Sequence, residues 1–357
     1  VGAEVSKNGH INDTFFLHFR QEEGNIRRYV LQYINSNVFR EPERVMENIE
    51  AVIKHLQMKL LKRGGDPSRE AMQIVNTTAG NSFYRSPSGE YWRAYDFIEG
   101  AQTYEIVENP LHFYHAGRAF GQFQLLLSDF PAHTLHETIV RFHDTRKRFA
   151  DFLQAVQADS HGRVQGARRE IDFLLAREQD TGVLIDLIAS GEIPLRVTHN
   201  DTKFNNIMID DKTGEGICVL DLDTVMPGTV LYDYGDAIRF GASTALEDEP
   251  NLDLVWLDLD LFAAYTRGYL SVAQDFLVPT EIKYLAFSAK LLTLETGLRF
   301  LTDYLQGDCY FKVAHPNHNL VRARTQLKLV ADMEAKMSQM EAIISTILEE
   351  NSREDVV

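Results

Sequence analysis

The chain has 357 residues, of which 44% are hydrophobic and 25% are charged, as expected for a globular protein with two lobes or domains. Its formal net charge of −16 argues against nucleic acid and against an anionic membrane surface as the main partner. No basic-then-apolar leader opens the chain, and no run of about 18 apolar residues occurs, so we expect a cytoplasmic protein.

The first hundred residues indicate a strand-rich lobe with one helix. Aromatic and β-branched residues fill 12–19 and 28–33, and the turn-like segment 22–25 between them indicates a hairpin. Apolar residues recur at a helical period from Pro42 to Lys62. Three more short strands are predicted at 72–75, 82–84 and 91–97.

From about residue 101 onward the apolar pattern becomes helical. The exception is 194–225, where short branched runs at 207–209 and 217–220 predict a hairpin. Long helical segments are predicted around 111–128, 137–158, 164–190, 253–274, 280–304 and 320–350. The sequence therefore predicts an α+β, bilobal protein-kinase-like fold. A small five-stranded antiparallel N-terminal lobe (1–98) would bind nucleotide, and a large, mainly helical C-terminal lobe (99–357) would carry catalysis and substrate binding.

The last helix and the two cysteines give further expectations. Apolar residues near a 3-4 repeat predict that the last helix packs on its own lobe, with a dimer contact as the alternative. We accordingly expect a monomer or a weak homodimer. Cys218 and Cys309 lie in apolar contexts without metal-type spacing, which predicts two buried, reduced thiols.

The segment 196–223 carries the chemistry. It contains His199-x-Asp201-x4-Asn206, followed by an acid pair, Asp221 and Asp223, at the end of an apolar run. A phosphoryl transferase of the protein-kinase type needs an aspartate to accept the substrate proton. It also needs an asparagine five residues later and a further aspartate, to hold Mg²⁺ on the phosphates of ATP. Asp201 is therefore predicted to be the catalytic base rather than a loop cap, with Asn206 and Asp221 as metal ligands.

The neighbouring residues allow more than one interpretation. Asp223 is either a further metal ligand or a residue that organises the loop. Lys203 is placed to offset charge on the transferring phosphate, although an exposed lysine is the simpler alternative. His199 is expected to hold the loop by hydrogen bonds rather than to touch substrate. Asn200 occupies the place of the arginine in kinases switched by activation-loop phosphorylation, so no such regulation is expected.

Nucleotide contacts are predicted in the N-terminal lobe. The loop from Gly9 through Asn12 lies where a nucleotide-covering loop is expected, although one glycine is a weak phosphate-binding signal. The segment 92–100 enters the helical lobe, where the backbone of Asp96 and Ile98 is expected to face adenine.

One position departs from the kinase pattern. Gln32 stands where kinases carry a strand lysine that reaches the nucleotide phosphates. We therefore expect Mg²⁺, Lys203 and backbone donors to meet the phosphate charge. Glu50, in the position of the lysine's usual partner, is then expected to be only a solvated residue.

These features resemble the aminoglycoside phosphotransferase-like branch of the kinase superfamily, and within it the kinases that act on N-acetylhexosamines. The resemblance covers essentially the whole chain, including the glutamine departure, and it is most specific over 239–249. The other segments that carry it are 9–12, 29–32, 196–203, 221–228, 299–301, 307–311 and 318–322.

The resemblance implies ATP- and Mg²⁺-dependent phosphorylation of the anomeric hydroxyl of N-acetylglucosamine or N-acetylgalactosamine, whose order of preference stays open. It places five side chains near the sugar: His10, Thr224, Phe240, Arg299 and Tyr310. One alternative is a kinase of the aminoglycoside or choline kinase type, which is disfavoured because Arg299 and Arg239 would repel cationic substrates. The other is a regulatory nucleotide-binding pseudokinase, disfavoured because the base and both metal ligands are present.

Overall fold

Strands predominate in the first third of the chain and helices in the remainder. The computed structural model describes residues 2–5, 11–20, 24–107 and 109–354. Its strands are β1 (Gly2–Val5), β2 (Asp13–Arg20), β3 (Ile26–Ile34), β4 (Tyr84–Arg85), β5 (Tyr91–Asp96), β6 (Ala101–Gln102), β7 (Arg196–Thr198), β8 (Ile207–Asp210), β9 (Gly216–Val219) and β10 (Met226–Gly228). Its helices are α1 (Pro42–Lys62), α2 (Pro67–Glu70), α3 (Pro110–Leu126), α4 (Thr145–Ala158), α5 (Arg168–Leu175), α6 (Val183–Ala189), α7 (Val230–Gly241), α8 (Leu259–Ala273), α9 (Pro279–Lys283), α10 (Leu285–Leu305) and α11 (His318–Glu354).

The N-terminal lobe is built on an antiparallel sheet of five strands in the order β1-β2-β3-β5-β4. The predicted fold class and the β2–β3 hairpin are confirmed. The predicted strand at 72–75 is wrong, because this segment makes only an isolated bridge between Ile74 and Tyr95. The fifth strand is instead β1, which lies along the outer edge of β2.

Helix α1 connects the small lobe to the catalytic region. Pro42 starts the helix in its first turn, and the buried face follows the predicted period through Val45, Ile49 and Val52. The buried Asn48 donates to the carbonyl of Val225 at 2.9 Å. The helix is thereby anchored beside the acidic segment that follows β9.

Two short antiparallel pairs carry the segment 196–223, which the sequence predicts to be catalytic. In the predicted hairpin, Met208 of β8 faces Cys218 of β9. Next to it, β7 pairs with β10, so that Gly228 lies opposite Arg196. A Cβ atom at Gly228 would collide with the Thr198 hydroxyl, so glycine is required for this close approach.

In the C-terminal lobe, α10 packs against α4, α7 and α11. Helices α3 and α8 cross closely at Gly268, where a Cβ atom would collide with the Tyr114 carbonyl. Helix α11 packs on α10 and α8 through buried residues, which confirms the predicted contact with its own lobe. These residues are Leu327, Val330, Met333, Met340, Ile344 and Ile347.

Several helical predictions were wrong. The predicted helix at 137–158 starts only at Thr145, because Asp144 caps it by accepting from the Lys147 amide at 2.8 Å. The segment 164–190 is divided into α5 and α6 by a short 3₁₀ turn at 178–182. Helix α7 was missed; its buried residues include the charged Asp233, Asp236 and Arg239, so its burial does not follow an apolar pattern.

The two cysteines differ in exposure. Cys218 is buried as predicted, but Cys309 is exposed, in the loop that follows α10. The prediction failed there because the apolar residues around Cys309 belong to a turn and not to a buried element. None of the described helices is long and apolar enough to cross a membrane.

Candidate active site

The loop after β7 is held in place by a buried aspartate on α7. The amides of His199 and Asn200 donate to the Asp233 carboxylate at 3.0 and 2.7 Å. Asn200 has a left-handed backbone, with φ of 64°, a conformation that asparagine tolerates better than most residues. Asp233 is thus the main anchor of the catalytic loop, and sequence reasoning did not identify it.

His199 has the structural role that the sequence predicted. Its side chain is fully buried, and its Nε2 donates to the Leu220 carbonyl at 2.7 Å. Its Nδ1 accepts from the Asp201 amide at 3.2 Å. The imidazole therefore connects the catalytic loop to the end of the β8–β9 hairpin.

The Asp201 carboxylate faces a partly open site. Its side chain is 27% exposed, and its Oδ1 lies 2.9 Å from the Lys203 ammonium. Its Oδ2 accepts from Asn206 Nδ2 at 3.2 Å. Burial raises the pKa of Asp201, but the charge of Lys203 and the hydrogen bond that it gives outweigh burial and hold the pKa below its usual value. The carboxylate is therefore ionised at neutral pH and able to accept a proton.

Lys203 lies in a network of charges. Burial lowers its pKa, but the charges of Asp201 and Asp236 outweigh this effect, so the pKa is raised. Asp236 accepts from Arg239 Nε at 2.8 Å, and Arg239 also reaches Glu247 at 3.0 Å. Arg239 is therefore neutralised by two carboxylates, which removes it from the argument against cationic substrates.

Asn206 and Asp221 form the candidate metal site. The Leu220 amide donates to the Asn206 carbonyl at 2.8 Å, which brings Asp221 beside Asn206. Burial, followed by the charges of Asp223 and Asp201, raises the pKa of Asp221 to about 7. Its carboxylate has no hydrogen-bond or ion-pair partner among the described residues, and the same holds for Asn206 Oδ1. These two oxygens suit Mg²⁺, which takes few protein ligands when phosphates and water supply the rest.

Asp223, the third predicted metal ligand, is already paired. It is 3% exposed, its Oδ1 forms an ion pair with the buried Arg93, and its Oδ2 accepts from Asn12 Nδ2 at 2.6 Å. Arg93 was missed because the sequence suggested strand β5 but gave no reason to connect it with an acid 130 positions later.

Gln32 is likewise occupied. Its Nε2 donates to Thr14 at 3.1 Å, and its Oε1 accepts from Arg93 Nε at 3.0 Å. Glu50, exposed on α1, accepts from the Ser82 hydroxyl and contacts no lysine in the described part of the chain. The strand-lysine and helix-glutamate pair of protein kinases is therefore replaced by a different arrangement.

The segment 92–100, whose backbone is predicted to face adenine, offers one backbone amide without a partner among the described residues. The Asp96 amide already donates to the Gln73 carbonyl at 2.9 Å, and its carboxylate pairs with Arg27 at 2.9 Å. The Ile98 amide has no partner within the described ranges and remains available to adenine. Gly9 and His10, predicted to contact nucleotide and sugar, lie outside the described residues.

The predicted substrate residues do not converge on one cavity. Thr224 is buried, and its hydroxyl donates to the His199 carbonyl at 2.7 Å, so it acts within the loop. Phe240 lines a cavity of about 190 Å³, together with Arg239. Arg299 and Tyr310 line a separate cavity of about 170 Å³, together with Arg148, and the two cavities share no lining residue.

The second cavity contains two arginines, two aspartates (Asp151 and Asp303) and aromatic side chains. The Arg299 guanidinium lies 5.1 Å from the ring centre of Phe142 and 5.9 Å from that of Tyr310. Arg148 donates to the Phe142 carbonyl at 3.0 Å. Neither arginine has an acidic partner within ion-pair distance in the described structure.

Helix α10 links this cavity to the catalytic loop. One turn before Arg299, the buried Glu295 lies 3.0 Å from His143 Nδ1, and His143 Nε2 lies 3.4 Å from the Asn200 carbonyl. Burial raises the pKa of Glu295, but His143 and the two arginines outweigh it, so the pKa is lowered. The acid is therefore ionised and holds α10 against the loop.

Comparison with known proteins identifies the family of this chain. Residues 3–270 match the phosphotransferase enzyme family (APH). The chain belongs to this family. An acidic pair that sequence reasoning overlooked, Asp233 and Asp236 in α7, lies within the matched segment. The sequence does show this pair, as two acids three residues apart that begin five residues after the Met226–Gly228 strand.

Solved structures share the fold of this phosphotransferase. An aminoglycoside phosphotransferase from Alicyclobacillus acidocaldarius is 11% identical, with 98% of this chain and 92% of that chain covered and a TM-score of 0.56. The amicoumacin kinase hAmiN, in complex with AMP-PNP, Ca²⁺ and Ami, is 14% identical (91% and 87% covered, TM-score 0.56). A choline kinase from Cryptosporidium parvum is 14% identical (98% and 92% covered, TM-score 0.54). At these identities the likeness shows a common fold.

Proposed function

We propose that the protein is an ATP- and Mg²⁺-dependent small-molecule kinase that phosphorylates the anomeric hydroxyl of an N-acetylhexosamine. The observation that carries the proposal is the Asp201 carboxylate, which is ionised, partly exposed and held between Lys203 and Asn206. Asp221 lies beside this group with a carboxylate that no described residue occupies. A base next to an open oxygen-ligand pair is the arrangement that phosphoryl transfer requires.

Asn206 and Asp221 would hold Mg²⁺ through their oxygens. When bound, the ion would neutralise negative charge on the nucleotide phosphates. The amicoumacin kinase of the same fold contains AMP-PNP and Ca²⁺, which agrees with a nucleotide and a divalent cation in this cleft. Ile98 would offer its free amide to the adenine ring.

Asp201 would orient the sugar C1 hydroxyl for in-line attack. The hydroxyl oxygen forms a bond to the γ-phosphorus, the bond from that phosphorus to the bridging oxygen of ADP breaks, and Asp201 takes the hydroxyl proton. An anomeric hydroxyl is more acidic than an ordinary alcohol, so a carboxylate with a low pKa is a sufficient base. Lys203 then stabilises the charge that develops on the transferred group.

The choice of acceptor rests on the cavity that contains Arg148 and Arg299. Two guanidinium groups without an acid at ion-pair distance can donate to sugar hydroxyls or to an acetamido oxygen. Asp151 and Asp303 line the same cavity, so its charge does not decide between a neutral and a cationic acceptor. The ring of Tyr310, which is exposed at the same cavity, can pack on an apolar sugar face. Together with the resemblance over 239–249, these features favour an N-acetylhexosamine over choline or an aminoglycoside.

An ADP-release assay with hexosamines, hexoses, choline, ethanolamine and aminoglycosides, with and without Mg²⁺, tests the proposal. We expect turnover with N-acetylglucosamine or N-acetylgalactosamine, lost without Mg²⁺ and in Asp201→Asn. Asp211→Asn, in the exposed β8–β9 turn, is the matched control and should retain turnover. Turnover only with amino alcohols or aminoglycosides would contradict the sugar assignment, and nucleotide binding without any turnover would indicate a pseudokinase.

A further inference from the structure

Gln32 leaves the usual lysine position without a cation, but a cation lies on the adjacent strand. Gln32 of β3 and Arg93 of β5 are directly paired in the antiparallel register, so their side chains project from the same face of the sheet. Arg93 Nε donates to Gln32 Oε1 at 3.0 Å. The guanidinium therefore extends past the glutamine toward the acidic loop of the C-terminal lobe.

Arg93 is enclosed by the protein. Its side chain is 1% exposed and the partner carboxylate of Asp223 is 3% exposed. Its Nη1 lies 3.9 Å from the sulfur of Met46, a fully buried residue of α1. The guanidinium also lies 5.4 Å from the ring centre of Tyr95. Such packing fixes the guanidinium in one position, because a buried charge must keep its partner.

Asp223 receives contacts from two parts of the N-terminal lobe. Arg93 belongs to β5, whereas Asn12 precedes β2 and donates to Asp223 Oδ2 at 2.6 Å. Asn12 Oδ1 in turn accepts from the Asn35 amide at 3.0 Å, at the end of β3. The acidic loop is thus attached to the nucleotide-binding lobe through the side chain of Asp223, which leaves Asp221 as the unpaired acid.

We propose that Arg93 is a positioning residue for the acidic loop, a different task from the phosphate contact that the strand lysine of kinases makes. By neutralising and holding Asp223, it fixes the acidic loop so that Asp221 is presented to the metal of bound nucleotide. Asp223 is then an organising residue and not a metal ligand. This inference rests on the proposed ATP-dependent function, because it concerns the same cleft.

The charges explain why the pair is needed. Three carboxylates, Asp201, Asp221 and Asp223, lie close enough to influence one another, and Lys203 is already paired with Asp201. Without Arg93, Asp223 would be a buried, uncompensated charge next to Asp221. Repulsion between the two carboxylates would then displace the loop from the position in which Asp221 faces the metal site.

The test compares Arg93→Met, which keeps the length of the side chain but removes the charge, with Asp223→Asn and the double variant. Arg85→Met, exposed on the neighbouring strand β4, is the matched control. The affinity for ATP is measured by titration calorimetry with and without Mg²⁺, and the melting temperature is recorded for each variant.

If Arg93 acts through Asp223, Arg93→Met should weaken Mg·ATP binding by about 10- to 100-fold, with a smaller loss in the absence of Mg²⁺. Adding Asp223→Asn should restore part of that affinity, because the uncompensated charge disappears. Arg85→Met should bind like the wild type. Losses that add up in the double variant would mean that Arg93 contacts the nucleotide independently of Asp223, and would overturn the inference.

Other outcomes are equally decisive. Unchanged Mg·ATP affinity in folded Arg93→Met would overturn the inference and leave the proposed function intact, whereas a wild-type protein that binds no ATP would overturn both. If Arg93→Met does not fold, the double variant, which removes both buried charges, is compared with Asp223→Asn alone. Similar Mg·ATP affinities in the two support the inference, whereas a clearly lower affinity in the double variant means that Arg93 acts independently of Asp223 and overturns it.

Discussion

Asp201 Oδ1 lies 2.9 Å from the ammonium of Lys203, two residues later in the same loop. The lysine stabilises the ionised form of the proposed base, against the effect of burial. In the proposed reaction the same ammonium lies next to the phosphoryl group as it moves toward the acceptor. One cation can therefore stabilise negative charge before and after the proton leaves the hydroxyl.

Replacing the base should separate catalysis from nucleotide binding. Asp201→Asn keeps the shape of the side chain but removes its ability to accept a proton, so we expect kcat to fall by about 10²- to 10⁴-fold. ATP affinity should stay close to that of the wild type, because Asp201 faces the acceptor. Steady-state rates and ATP titrations on the same preparation check both statements. Near-normal turnover would show that another group is the base.

Removing Lys203 should change the pH profile as well as the rate. Burial raises the pKa of Asp201 and Lys203 lowers it, so Lys203→Met should raise that pKa. Activity requires the ionised carboxylate, so the acidic limb of the kcat profile should move to higher pH. The rate at its optimum should fall by about 10- to 10³-fold. Lys203→Arg, which keeps a cation, is the control, and an unchanged or lower acidic limb in Lys203→Met would contradict the assignment.

Asp233 should be critical for folding and for turnover. Its two oxygens accept from the His199 amide, the Asn200 amide and Gln124 Nε2, at 3.0, 2.7 and 2.8 Å. Asp233→Asn would place an NH₂ group against at least one donor, so we expect a loss of about 2–4 kcal/mol in the free energy of unfolding. Denaturant titration measures this loss. The exposed Asp260→Asn should remain close to wild type, and an Asp233→Asn variant as stable as Asp260→Asn would exclude the anchoring role.

The sequence predicted the elements whose signals are local. The β2–β3 hairpin was predicted from aromatic and β-branched residues on both sides of a turn-like segment, and α1 from its helical period. Both lie within about two residues of the predicted limits. The hairpin that brings Asn206 and Asp221 together was predicted from two branched runs and the turn between them. The motif around Asp201 was also predictable, because its residues lie close together in the sequence.

Features that depend on distant contacts were not predictable. Arg93 and Asp223 form a buried ion pair between lobes, and the sequence contains no local trace of it. Asp233 lies on a helix whose buried residues include charged side chains, and its role depends on contacts with a distant loop that the sequence pattern does not show. The resemblance placed Thr224 and Arg299 at one sugar site, whereas the structure gives Thr224 a hydrogen bond within the catalytic loop.

Thr224 should therefore influence the loop more than sugar affinity. Its hydroxyl donates to the His199 carbonyl at 2.7 Å and has almost no exposure. Thr224→Val should lower stability by about 1–2 kcal/mol and reduce kcat, because the carbonyl loses its partner in a buried position. Thr224→Ser retains the hydroxyl and should preserve both. A change confined to the sugar KM, with an unchanged melting temperature, would mean that the hydroxyl binds the sugar instead.

Arg299 should act on the acceptor alone. Its guanidinium lies between aromatic rings at the cavity that also contains Arg148, and no acid of the described residues lies within ion-pair distance of it. In Arg299→Ala the acceptor would lose charge-assisted hydrogen bonds, so we expect the sugar KM to rise by about 10- to 100-fold while the KM for ATP stays unchanged. Arg299→Lys should recover little, because an ammonium cannot reproduce the planar, bidentate donor geometry. Initial rates with each substrate varied in turn measure both constants. An unchanged sugar KM in Arg299→Ala would remove this cavity from the acceptor site and shift attention to the cavity lined by Phe240.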